Sequence, residues 1–336
     1  MKTEFSNLRA LGIILNDRCG LRCKHCSLAY NENYRGTSWK IEESELRKVI
    51  LSADANVYGT VVMAGGEPAL APELLCAGIQ ACKEKGILSS VVTAPVWART
   101  PKSAADFFHR VAGLDVVMLS YDVFHLEFIH LDHYLNAIRA AHAAGVCVFV
   151  NLCYSNSQEK DELLKGLEEV RELIHHLQFQ PVLPFGNAAA NEGSLGLERR
   201  AINSAEDLSA LSRSCVAGNS LLNRDGSFYA CCWAGKVDHS PLKYRHYRGL
   251  GFQFTSLAME LDPAFQALRK AGFIDSLSPA AAGKVAELVQ GESFVNECDL
   301  CVRLMRENNG TTWRGLMQPA EKAGELVQLA TPTAKA

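Results

Sequence analysis

Leu11-Gly12-Ile13-Ile14-Leu15-Asn16-Asp17-Arg18-Cys19-Gly20-Leu21-Arg22-Cys23-Lys24-His25-Cys26 is an apolar run followed at once by a cysteine-rich loop. Leu11–Leu15 reads as a short buried strand. The loop places three thiols within eight residues. Soft thiolates at that density hold iron–sulfur clusters or zinc. A fourth cysteine close by would saturate a cluster, but the next one, Cys76, lies fifty residues beyond Cys26. Cys19, Cys23 and Cys26 would therefore leave one iron of a cubane open to a chelating small molecule. Zinc is the competing reading. It usually takes four protein ligands, and His25 would be a cramped fourth inside the trio.

Working outward, the chain alternates between two hydrophobic periods. Ile41–Leu51 has helical spacing, and Thr60–Ala64 is strand-like. Pro72–Lys85 is helical and stops at Gly86. Leu88–Val96, Asp115–Ser120 and Val146–Leu152 read as strands. Ser103–Val111 and His133–Ala144 read as helices, and Lys160–His176 as one long amphipathic helix. Leu177–Pro184 is a last strand, and its prolines suit a sheet edge. Six strand–helix alternations predict parallel strands with right-handed crossovers. Six units fall short of an eight-fold barrel, so an open, partial (β/α)6 TIM-like barrel is expected over residues 8–190.

Asn187–Leu197 reads as a linker. Beyond it, Ser220–Trp233 reads as a hairpin turning at Asn223-Arg224-Asp225-Gly226, and Ser256–Ala271 and Ala280–Gln290 as helices. Residues 191–317 are expected to form a smaller second domain, and 318–336 a loose tail.

The chain has 336 residues, is 48% hydrophobic and 21% charged, and carries a formal net charge of −3. That balance recruits neither nucleic acid nor an anionic membrane surface. No secretory signal and no membrane-spanning stretch is read, so a cytoplasmic protein is expected. In a reducing compartment, 12 cysteines in this distribution point to metal or cluster ligation rather than disulfides. Cys76, Cys82 and Cys147 read as ordinary buried thiols.

Further candidates lie at strand ends, where open α/β sheets bind ligands. Gly65-Gly66-Glu67-Pro68 ends the second strand, and its glycines permit close approach of a ligand to the backbone. A plain strand-to-helix turn explains the same residues. Ser120 and Asp122 close the fourth strand, and Asn151 lies on the fifth. Turn chemistry alone also accounts for such polar residues. In Tyr121-Asp122-Val123-Phe124-His125, His125, or Glu127 just beyond it, could position a substrate or carry a proton. A hydrogen-bonded histidine in a packed loop is the competing reading.

Cys215, Cys231, Cys298 and Cys301 form a second set. Four thiolates would saturate a 4Fe–4S cluster or a zinc, and ligand count alone does not separate the two.

C-x3-C-x2-C after the first strand of a βα series, with His before the last cysteine and Gly-Gly-Glu-Pro after the second strand, resembles the radical S-adenosylmethionine (radical SAM) superfamily over Leu11–Ala188. The resemblance implies a 4Fe–4S cluster on Cys19, Cys23 and Cys26 whose open iron is chelated by the methionine amino and carboxylate groups of S-adenosylmethionine. One electron then cleaves the sulfonium and releases a 5′-deoxyadenosyl radical. It further implies that His25 packs near the adenine, that Gly65, Gly66 and Glu67 serve the methionine amino group, and that Ser120, Asp122 and Asn151 serve ribose or carboxylate. The sixth strand departs from the family pattern: Pro184-Phe185-Gly186-Asn187 stands where a Gly-rich adenine motif is expected.

C-x10-G-x4-C from Cys215 to Cys231, followed by C-x2-C at Cys298 and Cys301, resembles the shortened auxiliary-cluster, or twitch, domain of the SPASM group. It implies one auxiliary 4Fe–4S cluster for electron transfer, two clusters in all. Cys232 neighbours Cys231 and could replace it. Cys153 or Cys232 could give a hydrogen atom to a substrate radical. The resemblance implies a flavodoxin- or ferredoxin-type electron donor and a peptide or small-metabolite substrate. No leader-binding domain fits ahead of the first strand, and a separate leader-binding protein could serve a peptide substrate. A non-catalytic zinc or iron–sulfur scaffold is the alternative from another class.

Overall fold

The computed structural model describes residues 9–28, 39–213, 215, 219–237, 239–245 and 252–317. The expected tail, 318–336, lies outside them.

Six parallel strands form the body of the fold: β1 (Arg9–Ile14), β2 (Tyr58–Ala64), β3 (Leu88–Thr93), β4 (Val116–Tyr121), β5 (Cys147–Tyr154) and β6 (His176–Pro181). They lie side by side in chain order, with Leu11 opposite Val61, Val91 opposite Val117, and Asn151 opposite Gln178. Between them run α1 (Glu43–Ser52), α2 (Pro72–Lys85), α3 (Pro101–Arg110), α4 (Leu131–Ala143) and α5 (Ser157–Gly166). Six parallel strands alternating with these five helices are the order of a partial barrel. Local chemistry fixes the boundaries. Gly86 ends α2 at φ +74°, and Thr100 and Ser103 cap α3 reciprocally. Pro181 does end the edge strand.

The long helix expected over Lys160–His176 is shorter. It stops at Gly166, and a 3₁₀ turn, Glu168–Leu173, follows. The cause is Tyr121, whose hydroxyl donates to the Leu163 carbonyl at 3.2 Å and lies where a Cβ on Gly166 would be only 2.4 Å away. Leu167 N bonds Leu164 O rather than Leu163 O, the tighter 3₁₀ pattern.

The second half joins the same sheet. β7 (Ser220–Leu222) and β8 (Ser227–Tyr229) form the expected hairpin, and β9 (Lys243–Arg245) pairs outside it. β7 runs parallel to β1, with Leu11 opposite Ser220 and Ile13 opposite Leu222. One nine-stranded sheet results, ordered β9-β8-β7-β1-β2-β3-β4-β5-β6. Gly12 permits the seam, since a Cβ there would meet the Ser220 carbonyl and Leu221 at 3.2 Å.

α6 (Phe252–Glu260) and α7 (Pro263–Ala271) replace the single helix expected over Ser256–Ala271. Asp262 breaks it by capping α7, accepting from Ala264 N and Phe265 N. α8 (Pro279–Leu288), α9 (Glu297–Arg306) and α10 (Thr311–Leu316) complete the described chain.

Two hydrophobic clusters fill the interior, one beneath β1–β6 and one among α6–α10. Ile14 belongs to the second, while Leu222, Phe228 and Phe252 belong to the first, so the clusters interlock at the β1–β7 seam.

Candidate active site

The cysteine loop leaves β1 and is held from two sides. On one side stands Gly65-Gly66-Glu67. Gly66 N donates to Asn16 O at 2.8 Å and Glu67 N to Arg18 O at 2.6 Å, while the Asn16 amide donates to Glu67 O at 3.2 Å. A Cβ on Gly66 would lie 2.2 Å from Arg18 O, and one on Gly65 2.5 Å from Asn16 O. The close approach these glycines permit is therefore to the backbone entering the cysteine loop. On the other side stands Pro184-Phe185-Gly186-Asn187. Asn187 N donates to Cys26 O at 2.9 Å, and its side chain donates to Cys23 O at 3.3 Å. Gly186, at φ +59°, sits where a Cβ would be 2.5 Å from Ser27 O. The segment expected to be a linker instead forms short helices, Asn187–Ala190 and Glu192–Leu195, seated on this loop.

Glu67 is buried. Its carboxylate accepts from Thr93 Oγ1 at 2.6 Å, Ala69 N at 2.9 Å and Ala94 N at 3.0 Å. Burial pushes its acidity down, and these donors pull the other way. Its side chain thus ties the end of β2 to the end of β3. Asp122 is likewise enclosed. Oδ1 accepts from His125 N at 2.8 Å, while Oδ2 lies 2.7 Å from His125 Nδ1 and 3.2 Å from His25 Nε2. The two imidazoles hold the Asp122 carboxyl well below the usual carboxylate range despite the opposing effect of burial. His125 is pushed the other way by Asp122, again against burial. His25 stacks on Phe124 with centroids 4.7 Å apart. The candidates Asp122, His125 and His25 are therefore one hydrogen-bonded unit.

Cys19, Cys23, Cys26, His25, Gly65, Gly66, Glu67, Ser120, Asp122, His125, Asn151 and Cys153 all line one cavity of about 300 Å³. It opens at the carboxyl ends of the strands, where such sheets bind ligands. Two of its polar atoms, Asn151 Oδ1 and His25 Nδ1, are buried without a hydrogen-bond partner, the condition that a ligand relieves. Burial and the neighbouring charges of Glu67, Cys23 and Cys26 push the Cys19 thiol up to about 12. Three ionised thiols crowd here only if a cation neutralises them. The donor set and the orphaned atoms fit a cluster with a bound organic cofactor.

A second, smaller cavity is lined by Cys215, Cys231, Cys298 and Cys301 among Leu268, Phe273, Val302 and Met305. Cys298 and Cys301 sit in the first turns of α9, where Asn296 caps Cys298 N and Asp299 N. Burial, with the charges of the other three cysteines, pushes Cys301 well up. Four converging thiols in an apolar pocket fit a saturated metal centre. Cys231 rather than Cys232 lines this cavity, and Cys232 lines neither. Trp233 borders both.

The profile of the radical SAM superfamily matches residues 13–170. Those residues are a radical SAM superfamily domain. A GTP 3′,8-cyclase of Moorella thermoacetica is 26% identical over 190 residues, 54% of this chain and 58% of the cyclase. The crystal structure of methylornithine synthase (PylB) is similar at 16% identity and a TM-score of 0.42, covering 54% of this chain and 56% of that one. AdoMet-bound anSMEcpe is similar at 19% identity and a TM-score of 0.41, covering 67% of this chain and 71% of that one. The chain thus spans little more than half the length of the cyclase and the synthase.

Around the first cavity, the structure adds residues that the sequence did not single out. Thr93, Gln180 and Trp233 line the first cavity, and Asn16 and Asn187 hold its cysteine loop. Thr93 and Gln180 stand at the ends of β3 and β6, so strand-end position was the available signal. Of the thiols read as buried, Cys82 is buried, Cys76 is partly so, and Cys147 is exposed at the start of β5. Among the described residues, no helix is long and apolar enough to cross a membrane.

Proposed function

We propose that this chain is a radical SAM enzyme that acts on a substrate C–H bond and carries an auxiliary cluster in its second half. The reading is carried by one observation: three thiols from a single eight-residue loop line the same cavity as two buried, unpartnered polar atoms. Cys19, Cys23 and Cys26 would hold the first 4Fe–4S cluster, leaving one iron for S-adenosylmethionine. When bound, that pair supplies a 5′-deoxyadenosyl radical. The chain's own residues orient and enclose. Asn187, Gly66 and Glu67 fix the loop, the Asp122 unit fixes His25, and Asn151 offers an acceptor to the cofactor. Cys153, on β5 in the same cavity, is the candidate hydrogen-atom donor.

Cys215, Cys231, Cys298 and Cys301 would hold a saturated auxiliary 4Fe–4S cluster in a twitch-like domain. Having no open iron, it would serve electron transfer, accepting an electron from a substrate radical or relaying one to the first cluster. The substrate is a peptide or small metabolite, and the electron donor a flavodoxin or ferredoxin.

Anaerobic reconstitution with iron and sulfide tests the reading. A brown protein that converts S-adenosylmethionine to 5′-deoxyadenosine under a low-potential reductant is expected, and Cys23→Ala should abolish that conversion. A colourless zinc protein with no cleavage would return the chain to the scaffold alternative.

A further inference from the structure

Trp313 is fully buried on α10, and its indole Nε1–H donates to Cys301 Sγ at 3.2 Å. Indole is a donor only, and a buried N–H without an acceptor is costly. Here a sulfur supplies the acceptor. Phe273, which lines the second cavity, stacks parallel to the indole at 15° and 6.4 Å and backs its ring. The donor is therefore held in place from outside the ligand set.

We propose that the Trp313–Cys301 hydrogen bond raises the reduction potential of the auxiliary cluster, an inference that rests on the auxiliary-cluster reading above. A proton shared with a ligating sulfur draws electron density away from the metal and favours the more negative, reduced state. The rest of the cavity works the other way. Leu268, Phe273, Val302 and Met305 surround the thiols with apolar surface, and the buried Glu297 side chain also lines the cavity; apolar surface and a carboxylate both disfavour added negative charge. Trp313 is thus a positioning and tuning residue. It would let a buried, apolar centre still accept an electron from a substrate radical.

The test uses the full chain carrying Cys19→Ala, Cys23→Ala and Cys26→Ala, so that only the auxiliary cluster contributes. After reconstitution, iron content and an EPR-monitored redox titration are compared with and without Trp313→Phe. Retained iron with the midpoint shifted to lower potential is expected. Retained iron with an unmoved or raised midpoint overturns the inference. No iron–sulfur signal in the parent triple variant overturns the auxiliary-cluster reading and the inference with it. Should Trp313→Phe lose its iron, the triple variant carrying Trp233→Phe as well and labelled with ¹⁵N-indole tryptophan decides. Pulsed EPR of the reduced cluster should then show one coupled indole nitrogen and an exchangeable proton, and their absence overturns the inference.

Discussion

The side-chain amide of Asn187 donates to the backbone carbonyl of Cys23 across 3.3 Å, linking residues 164 positions apart. The segment after β6 is thereby part of the wall that shapes the cysteine loop. Its backbone adds a second bond, from Asn187 N to Cys26 O at 2.9 Å. The loop that would carry a cluster is set by the last turn of the barrel as much as by its own sequence.

Asn187→Ala should therefore weaken the loop without removing any thiol. It removes one of the two donors to the buried Cys23 carbonyl, which keeps the bond from Cys26 N, a loss of about 0.5–1.5 kcal/mol. Urea denaturation of the metal-free chain should show that drop, and the reconstituted protein should release iron faster to a chelator. Unchanged stability together with unchanged release would count against the clamp.

Two glycines near the same loop should behave oppositely. A Cβ on Gly66 would stand 2.2 Å from Arg18 O, whereas one on Gly20 would meet nothing within 4 Å. Gly66→Ala forces backbone apart at the end of β2 and should cost about 1–3 kcal/mol or more. Gly20→Ala should stay within about 0.5 kcal/mol of the parent. Matched denaturation curves of the two variants check this, and equal midpoints would contradict it.

These contacts also mark where sequence reading stops. The six strands, the cysteine loop and the hairpin at Asn223–Gly226 were legible, because apolar period, turn residues and thiol spacing are local signals. Tyr121 ending α5 was not legible, since the hydroxyl comes from an element 42 residues before Leu163. The same holds for Asn187, whose Ala- and Asn-rich surroundings read as a linker. Asp122 was legible as a polar residue at a strand end, but its enclosure by His25 and His125 depends on how two separate loops meet. Composition likewise said nothing of β7 pairing with β1, a contact between residues some 209 positions apart, as Ala10 N to Asn219 Oδ1 illustrates.

The two thiol sets should separate genetically. Cys298 lines the second cavity and not the first. Cys298→Ala should leave reductive cleavage of S-adenosylmethionine within a few-fold of the parent while substrate turnover is lost. Release of 5′-deoxyadenosine, measured beside product formation, reads both. Loss of cleavage in Cys298→Ala, with the first cluster intact by EPR, would mean that the auxiliary centre supplies the cleaving electron.

Metal removal should act unevenly on the fold. Cys215, Cys231 and the α9 pair Cys298 and Cys301 come from three separate stretches that meet only at the second cavity. Glu297 cross-links part of this region, accepting from Cys215 N at 3.2 Å and Ile274 N at 3.0 Å. Stripping a bound metal therefore takes a multi-point tie from α7–α10, while β2–β5 keep their own ladder and core. Hydrogen exchange after chelation should rise first across 263–316 and last in β2–β5. Ligating thiols shed protons on binding, so acid favours the stripped state, and burial of the Cys19 thiol, pushed up to about 12, extends that dependence to higher pH at the first site. Iron loss should accordingly accelerate as pH falls. A uniform rise in exchange, or iron release independent of pH, would refute the assignment of these seven thiols as metal ligands.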